Sequence, residues 1–124
     1  MLEISSVEDL DVFKKAHALT LDLYKMTQSF PVQEKYNLIS QIRRSASSIC
    51  SNLLEGSHRT NTKEFRQFAG IANGSAGELK YHILLSKDLG YINGEKFISL
   101  RKDIDDICKM LRGLIRSLSR SSNV

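Results

Sequence analysis

The sequence predicts an all-α protein: an up-down-up-down antiparallel four-helix bundle in a single domain of 124 residues. Three observations carry this reading. Apolar residues recur at alternating steps of three and four, the period of an amphipathic helix. Breakers are few and fall between the periodic stretches: the sole proline is Pro31, and Thr60-Asn61-Thr62 and Asn93-Gly94 mark the other turns. No stretch alternates apolar and polar residues for long enough to read as a strand. Four long helices on short connections lie antiparallel to their neighbours, and the heptad-like spacing favours shallow crossings.

The first helix is expected over 7–29. Ser5 or Ser6 offers a cap, Glu8 and Asp9 place acids in the first turn, and Leu19, Leu23, Met26 and Phe30 step by four, three and four. Phe30-Pro31 ends it, because a residue preceding proline is pushed out of the helical region. The second helix is expected over 33–57, with Ile39, Ile42, Ala46, Ile49 and Leu53 as its apolar seam. The third spans 62–89. Asn61 and Glu64 form its capping pair, and its stripe is Phe65, Phe68, Ala72, Ser75, Leu79 and His82. Gly90 suits a left-handed residue just beyond its end, with Tyr91 and Ile92 folding back. The fourth spans 95–119 and has the most regular seam, through Phe97, Leu100, Ile104, Ile107, Leu111, Leu114 and Leu118. The last five residues read as frayed.

Two of these helices contain residues that intrinsic propensity disfavours. Gly70, Gly74 and Gly77 share one face of the third helix, and each costs about 1 kcal/mol relative to alanine. Close helix packing, within the bundle or between copies, offsets such a cost; so does accommodation of a ligand or nucleic acid. The second helix carries Ser45, Ala46, Ser47, Ser48 and Ser51, small side chains that also permit close approach. Together they point to self-association, with Gly70, Gly74, Ser75 and Gly77 as packing residues.

Composition restricts the function classes. Hydrophobic residues make up 41% and charged residues 26%, which excludes a disordered chain. The longest apolar runs are far short of the roughly 20 residues that cross a bilayer. The first residues lack the basic and apolar regions of a signal peptide, so a cytoplasmic protein without a membrane partner is expected. Cys50 and Cys108 are isolated from one another and from histidine, and read as free thiols.

No catalytic constellation is present in the sequence. Glu55-Gly-Ser-His58 has the Glu-x-x-His spacing of carboxylate-bridged di-iron bundles, which need two such motifs and further core glutamates. The second candidate, Glu78 with His82, has the wrong spacing. The glycines follow no strand and open no helix, so they form no phosphate loop. A non-enzymatic protein with no metal and no cofactor is expected.

The basic residues supply the remaining lead. Net charge is +4, and no acid follows Asp106, whereas Lys109, Arg112, Arg116 and Arg120 do. Arg59, Lys63 and Arg66 cluster at the turn into the third helix, and Arg43 and Arg44 project from the second. Arg43, Arg44, Arg59, Lys63, Arg66, Arg112, Arg116 and Arg120 are therefore candidate phosphate contacts. The alternatives are solvated helix faces, or pairing of Arg43 or Arg44 with Glu55, Glu64 or Glu78 across helices or subunits.

Several segments also resemble one bacterial family. They are Asp9-Leu-Asp-Val-Phe-Lys-Lys-Ala-His17, Phe30-Pro-Val-Gln-Glu-Lys-Tyr-Asn-Leu38, Gln41-Ile-Arg-Arg44, Asn52-Leu-Leu-Glu-Gly56, Lys63-Glu-Phe65, Ile71-Ala-Asn-Gly-Ser75, Glu78-Leu79 and Leu89-Gly-Tyr-Ile92. In order and spacing, across about residues 9–118, they resemble the 23S rRNA intervening-sequence protein family. Cys50 stands where that family often has proline and Leu54 where it often has alanine, and Gly77 adds a glycine to the small face. The resemblance implies a four-helix bundle that commonly assembles as a homopentamer, without enzymatic activity. It also implies relatedness to a pentameric accessory protein of diversity-generating retroelements, which binds a reverse transcriptase and nucleic acid. Two functions are therefore expected in turn: binding of structured RNA or a ribonucleoprotein by an oligomer, or a protein-binding scaffold such as an accessory subunit of a reverse transcriptase.

Overall fold

Four helices carry the fold: α1 (Asp11–Thr27), α2 (Leu38–Ser57), α3 (Thr62–Asp88) and α4 (Gly94–Ser122). The computed structural model describes residues 4–122, with side chains over 7–120, and within that span there is no strand. Each helix packs antiparallel on the next and α4 returns to α1, closing the bundle. The core is aliphatic, with Leu23, Ile42, Ile49, Leu53, Leu79, Ile83, Leu100, Ile104, Ile107 and Leu111 fully buried.

The start of the chain differs from expectation. Ile4–Asp9 forms a 3-10 turn, and α1 begins only at Asp11, after Leu10 in extended conformation and without a side-chain cap. The cap expected at Ser5 or Ser6 involves side chains outside the described residues. Val7, fully buried, anchors the 3-10 turn against α1 and α2. α2 also starts late. Pro31 opens a short 3-10 turn, Val32–Glu34, and Asn37 (φ −127°, ψ −101°) breaks the chain before Leu38. Val32 and Tyr36 are exposed here, so no core contact extends the helix backward. The Tyr91 hydroxyl instead ties this segment down by donating to Glu34 Oε2 at 2.8 Å.

The ends of α3 follow from local chemistry. Asn61 Oδ1 accepts the Glu64 backbone N–H at 2.8 Å, while the Thr60 hydroxyl donates to the Glu64 carboxylate at 3.3 Å. At the other end Gly90 adopts φ +82°. Its N–H donates to the Lys87 carbonyl and that of Tyr91 to the Ser86 carbonyl, both at 2.9 Å, which is a Schellman motif. Asn93 Oδ1 then caps α4 by accepting the Lys96 N–H at 2.8 Å.

The buried stripe of α3 is Phe65, Ala69, Ala72, Ala76, Leu79, Ile83 and Ser86. Phe65, Ala72 and Leu79 are where the sequence puts them, but Phe68, Ser75 and His82 turn to the flank facing α2. A step of three and a step of four from the same residue differ by one helical position, and alanine satisfies a core as readily as phenylalanine near a close partner. Buried hydroxyls impose little penalty here, because Thr20, Thr27, Ser45 and Ser86 each donate to the carbonyl four residues earlier.

Candidate nucleic-acid interface

The basic residues divide into those held by the bundle and those left to solvent. Arg43 belongs to the first group. Its Nε donates to Thr27 Oγ1 at 2.9 Å, its Nη2 donates to the Tyr24 carbonyl at 3.1 Å, and its guanidinium lies 4.6 Å from the Tyr24 ring centre. It closes the end of α1 onto α2. Arg44 reaches α3, where Nη2 donates to Glu78 Oε2 at 2.8 Å and to Gln41 Oε1 at 2.6 Å. Glu78 also meets His82 Nε2 at 3.1 Å. The inter-helix Arg44–Glu78 pair is the alternative the sequence left open, although both side chains remain partly solvated. One step along the same seam, the hydroxyls of Ser48 and Ser75 hydrogen-bond to each other.

Arg59 is also occupied, donating to Glu55 Oε2 at 2.9 Å while its guanidinium lies 4.8 Å from the Phe68 ring centre. Glu55 is thus an exposed helix-end partner of Arg59. The described residues contain no group of three or more His, Cys, Asp or Glu side chains placed to hold a metal.

The second group gathers where α3 begins and α4 ends. Arg66 Nη1 donates to Ser119 Oγ at 3.4 Å, and further along, Lys80 pairs with Asp105 at 2.8 Å. These two contacts set the register of the antiparallel pair. Continued along the helices, it brings Arg112 level with Asn73 and Arg116 level with Ala69. Lys109, Arg112, Arg116 and Arg120 fall on one exposed ridge of α4, about 16 Å long at 1.5 Å per residue. Lys63, Arg112, Arg116 and Arg120 make no ion pair among the described residues. Asp103 and Asp106 of α4 meet Lys15 of α1, at 3.4 and 3.8 Å, while Asp105 continues the ridge one turn before Lys109 and pairs with Lys80 of α3. Asp105 is held below the usual carboxylate range, chiefly by its hydrogen bond from Lys80 and then by the charges of Lys80, Arg101 and Arg112.

The helix-three glycines contribute nothing to packing inside the bundle. A Cβ built on Gly70, Gly74 or Gly77 meets no atom within 4 Å, so of the alternatives the sequence left open, close approach within the bundle does not hold at these positions. They lie on the outer surface of α3 beside Ile71 and Tyr81, which are 52% and 58% exposed. The close approach occurs instead at Gly56 on α2, where a Cβ would lie 2.7 Å from Phe68 Cβ and 3.0 Å from the Phe65 ring. Local sequence gave no sign of this, because the partners of Gly56 are on another helix. Both thiols are free and half-buried; burial pushes Cys50 up to about 11 and also raises Cys108.

The model of the 23S rRNA-intervening sequence protein family matches residues 8–113, from the 3-10 turn well into α4. The chain belongs to that family. A crystal structure of a protein with unknown function from the S23 ribosomal protein family of Bacteroides thetaiotaomicron VPI-5482 superimposes with a TM-score of 0.75 at 27% identity. The superposition covers 84% of this chain and 97% of that one. No curated protein matches. Family membership places Gln41, Arg44, Gly56, Ser75 and Glu78 inside the matched span, whereas Arg116 and Arg120 lie beyond it.

Proposed function

We propose that this chain is a non-enzymatic helical bundle that self-associates and binds structured RNA, or a ribonucleoprotein, through the basic surface of α4 and the start of α3. The observation that carries the reading is the α4 ridge: four exposed cations in line, no acid after Asp106, and Arg66 brought alongside by Ser119. A row of unpaired arginines binds a polyanion by neutralising phosphates and releasing their counterions. Arg43, Arg44 and Arg59 drop out of the contact set, because each is committed to a neighbour. The outward glycines of α3 support self-association. They cost roughly 3 kcal/mol of helix propensity with no compensating contact within the chain, and Ile71 and Tyr81 add exposed apolar area beside them.

The second reading, a protein-binding scaffold such as an accessory subunit of a reverse transcriptase, is favoured by Val32 and Tyr36. They are 81% and 88% exposed at the opposite end of the bundle from the basic surface.

Fluorescence anisotropy with a structured rRNA fragment across a salt series tests the first reading. The variant carrying Arg112→Gln, Arg116→Gln and Arg120→Gln should lose affinity and flatten the salt slope by roughly one unit per arginine. Unchanged affinity in this variant would remove the nucleic-acid reading and leave the protein-partner one.

A further inference from the structure

We infer that Tyr36 of one copy seats in the cleft between α2 and α3 of another, so that each copy offers both a ring and a pocket. This rests on the self-association reading above and names its contact. The cleft lies where α2 begins and α3 ends, and has a volume of about 150 Å³. A space of that size admits a single six-membered ring. Leu38, Leu85, Leu89 and Tyr81 give it apolar walls, and Glu34 and Gln41 give it a polar edge. The Gln41 side-chain carbonyl accepts from Arg44 at 2.6 Å, which leaves its NH2 group to donate.

Beside this cleft the chain presents a ring that nothing covers on its outer side. Tyr36 is 88% exposed, and Lys35 Nζ lies 5.4 Å from its ring centre. The ring is held out by structure rather than by a loose loop. The backbone N–H groups of Glu34, Lys35 and Asn37 donate to the carbonyls of Pro31, Val32 and Glu34, at 2.9, 3.1 and 3.0 Å. Tyr91 then ties Glu34 to the bundle. A ring mounted this way loses little freedom on docking. Charge is complementary as well. Glu34 is the one acid lining the cleft, no lysine or arginine lines it, and neither Glu34 nor Lys35 has an ion-pair partner among the described residues. A Tyr36 ring arriving from another copy brings its own Lys35 towards that Glu34. Tyr81, in the cleft wall, follows Gly77 by four residues and Gly74 by seven, on the same helix face. The incoming copy therefore also meets the bare outer surface of α3.

Light scattering of the full chain over a concentration series tests this. Tyr36→Ala removes the ring, and Leu89→Trp fills the cleft from its half-exposed rim; melting temperatures control for the fold. Each variant alone is expected to dissociate about tenfold more readily than wild type or worse, the effect of losing a buried aromatic anchor. Mixed in equal amounts they should gain mass over either alone, because one keeps the pocket and the other the ring. Lys35→Glu, which sets acid against acid without touching the core, should also weaken assembly. Wild-type mass in folded Tyr36→Ala or Lys35→Glu, or no gain on mixing folded variants, overturns the inference. Self-association through another face then stands, and Tyr36 is left to a different protein. A wild-type chain that is monomeric at every concentration removes both.

Discussion

A methyl group at Gly56 would need space that Phe68 Cβ and the Phe65 ring already fill, and neither is the free end of a flexible side chain. Gly56→Ala should therefore push α2 and α3 apart and destabilise the protein by about 1 to 3 kcal/mol, the usual penalty for overpacking. Urea unfolding checks this, and an unchanged midpoint would contradict the contact. The comparison shows what a sequence discloses at single-residue scale. Gly90 was legible because its task is local: a left-handed φ ends a helix, and few residues other than glycine accept it. Gly56 was not, because its neighbours come from a helix that begins after it and no periodicity records the meeting. Arg43 and Arg44 stand between the two, since Glu78 was among three acids the sequence offered as partners and Thr27 was not. Their charge was plain, but only the fold brings them to Thr27 and Glu78.

The four helices were legible because each buries a seam of recurring apolar residues, and both ends of α3 and the start of α4 because asparagine caps and a glycine stop act locally; α4 runs on to Ser122, past the expected end at 119. The starts of α1 and α2 were misplaced for a shared reason. Each is preceded by a 3-10 turn that uses helix-compatible residues, and one-dimensional periodicity does not separate a 3-10 turn from the first turn of an α-helix. The phase of α3 was half right. Its glycines were expected to face a neighbour, and the neighbour within the chain is absent. Two substitutions at Gly74 distinguish the remaining roles. If the outer face of α3 contacts another copy closely, Gly74→Leu lowers the mass measured by light scattering. If the face stays in solvent, mass is unchanged, and Gly74→Ala raises stability by up to about 1 kcal/mol, since alanine is the better helix former and meets no obstacle.

Across the whole molecule the seams are unequal. α2 and α3 interlock along their length, as do α3 and α4, whereas the contact of α1 with α4 is limited and bridged by charge. Lys15 reaches Asp103 and Asp106, and Lys96 holds Asp22 at 2.9 Å. Partly exposed pairs of this kind contribute roughly 0 to 1 kcal/mol and are screened by salt. Native-state hydrogen exchange should show the α1 amides opening at lower free energy than those of α2 and α3, with the gap widening as salt is raised. Equal protection of α1 and α3 at both salt concentrations would contradict this. The candidate interface was legible as a set of charges and illegible as a surface, because the sequence does not say which arginines the fold will occupy. Arg43, Arg44 and Arg59 are committed to neighbours and Arg66 donates to Ser119, while Lys63, Arg112, Arg116 and Arg120, without an ion pair among the described residues, collect at one end.

The fit at Gly56 also constrains how such a chain changes over generations. A side chain enters position 56 harmlessly only in a lineage where α3 has already moved away from α2, because every residue at 68 but glycine keeps the Cβ that would stand 2.7 Å away. Glycine at 68, arriving first, opens a gap between α2 and α3 and also strips Arg59 of the ring it covers. Either order passes through a less stable intermediate, so drift at 56, 65 and 68 is tied together. These positions are expected to be inherited as a set, long after the solvent-facing residues around them have diverged.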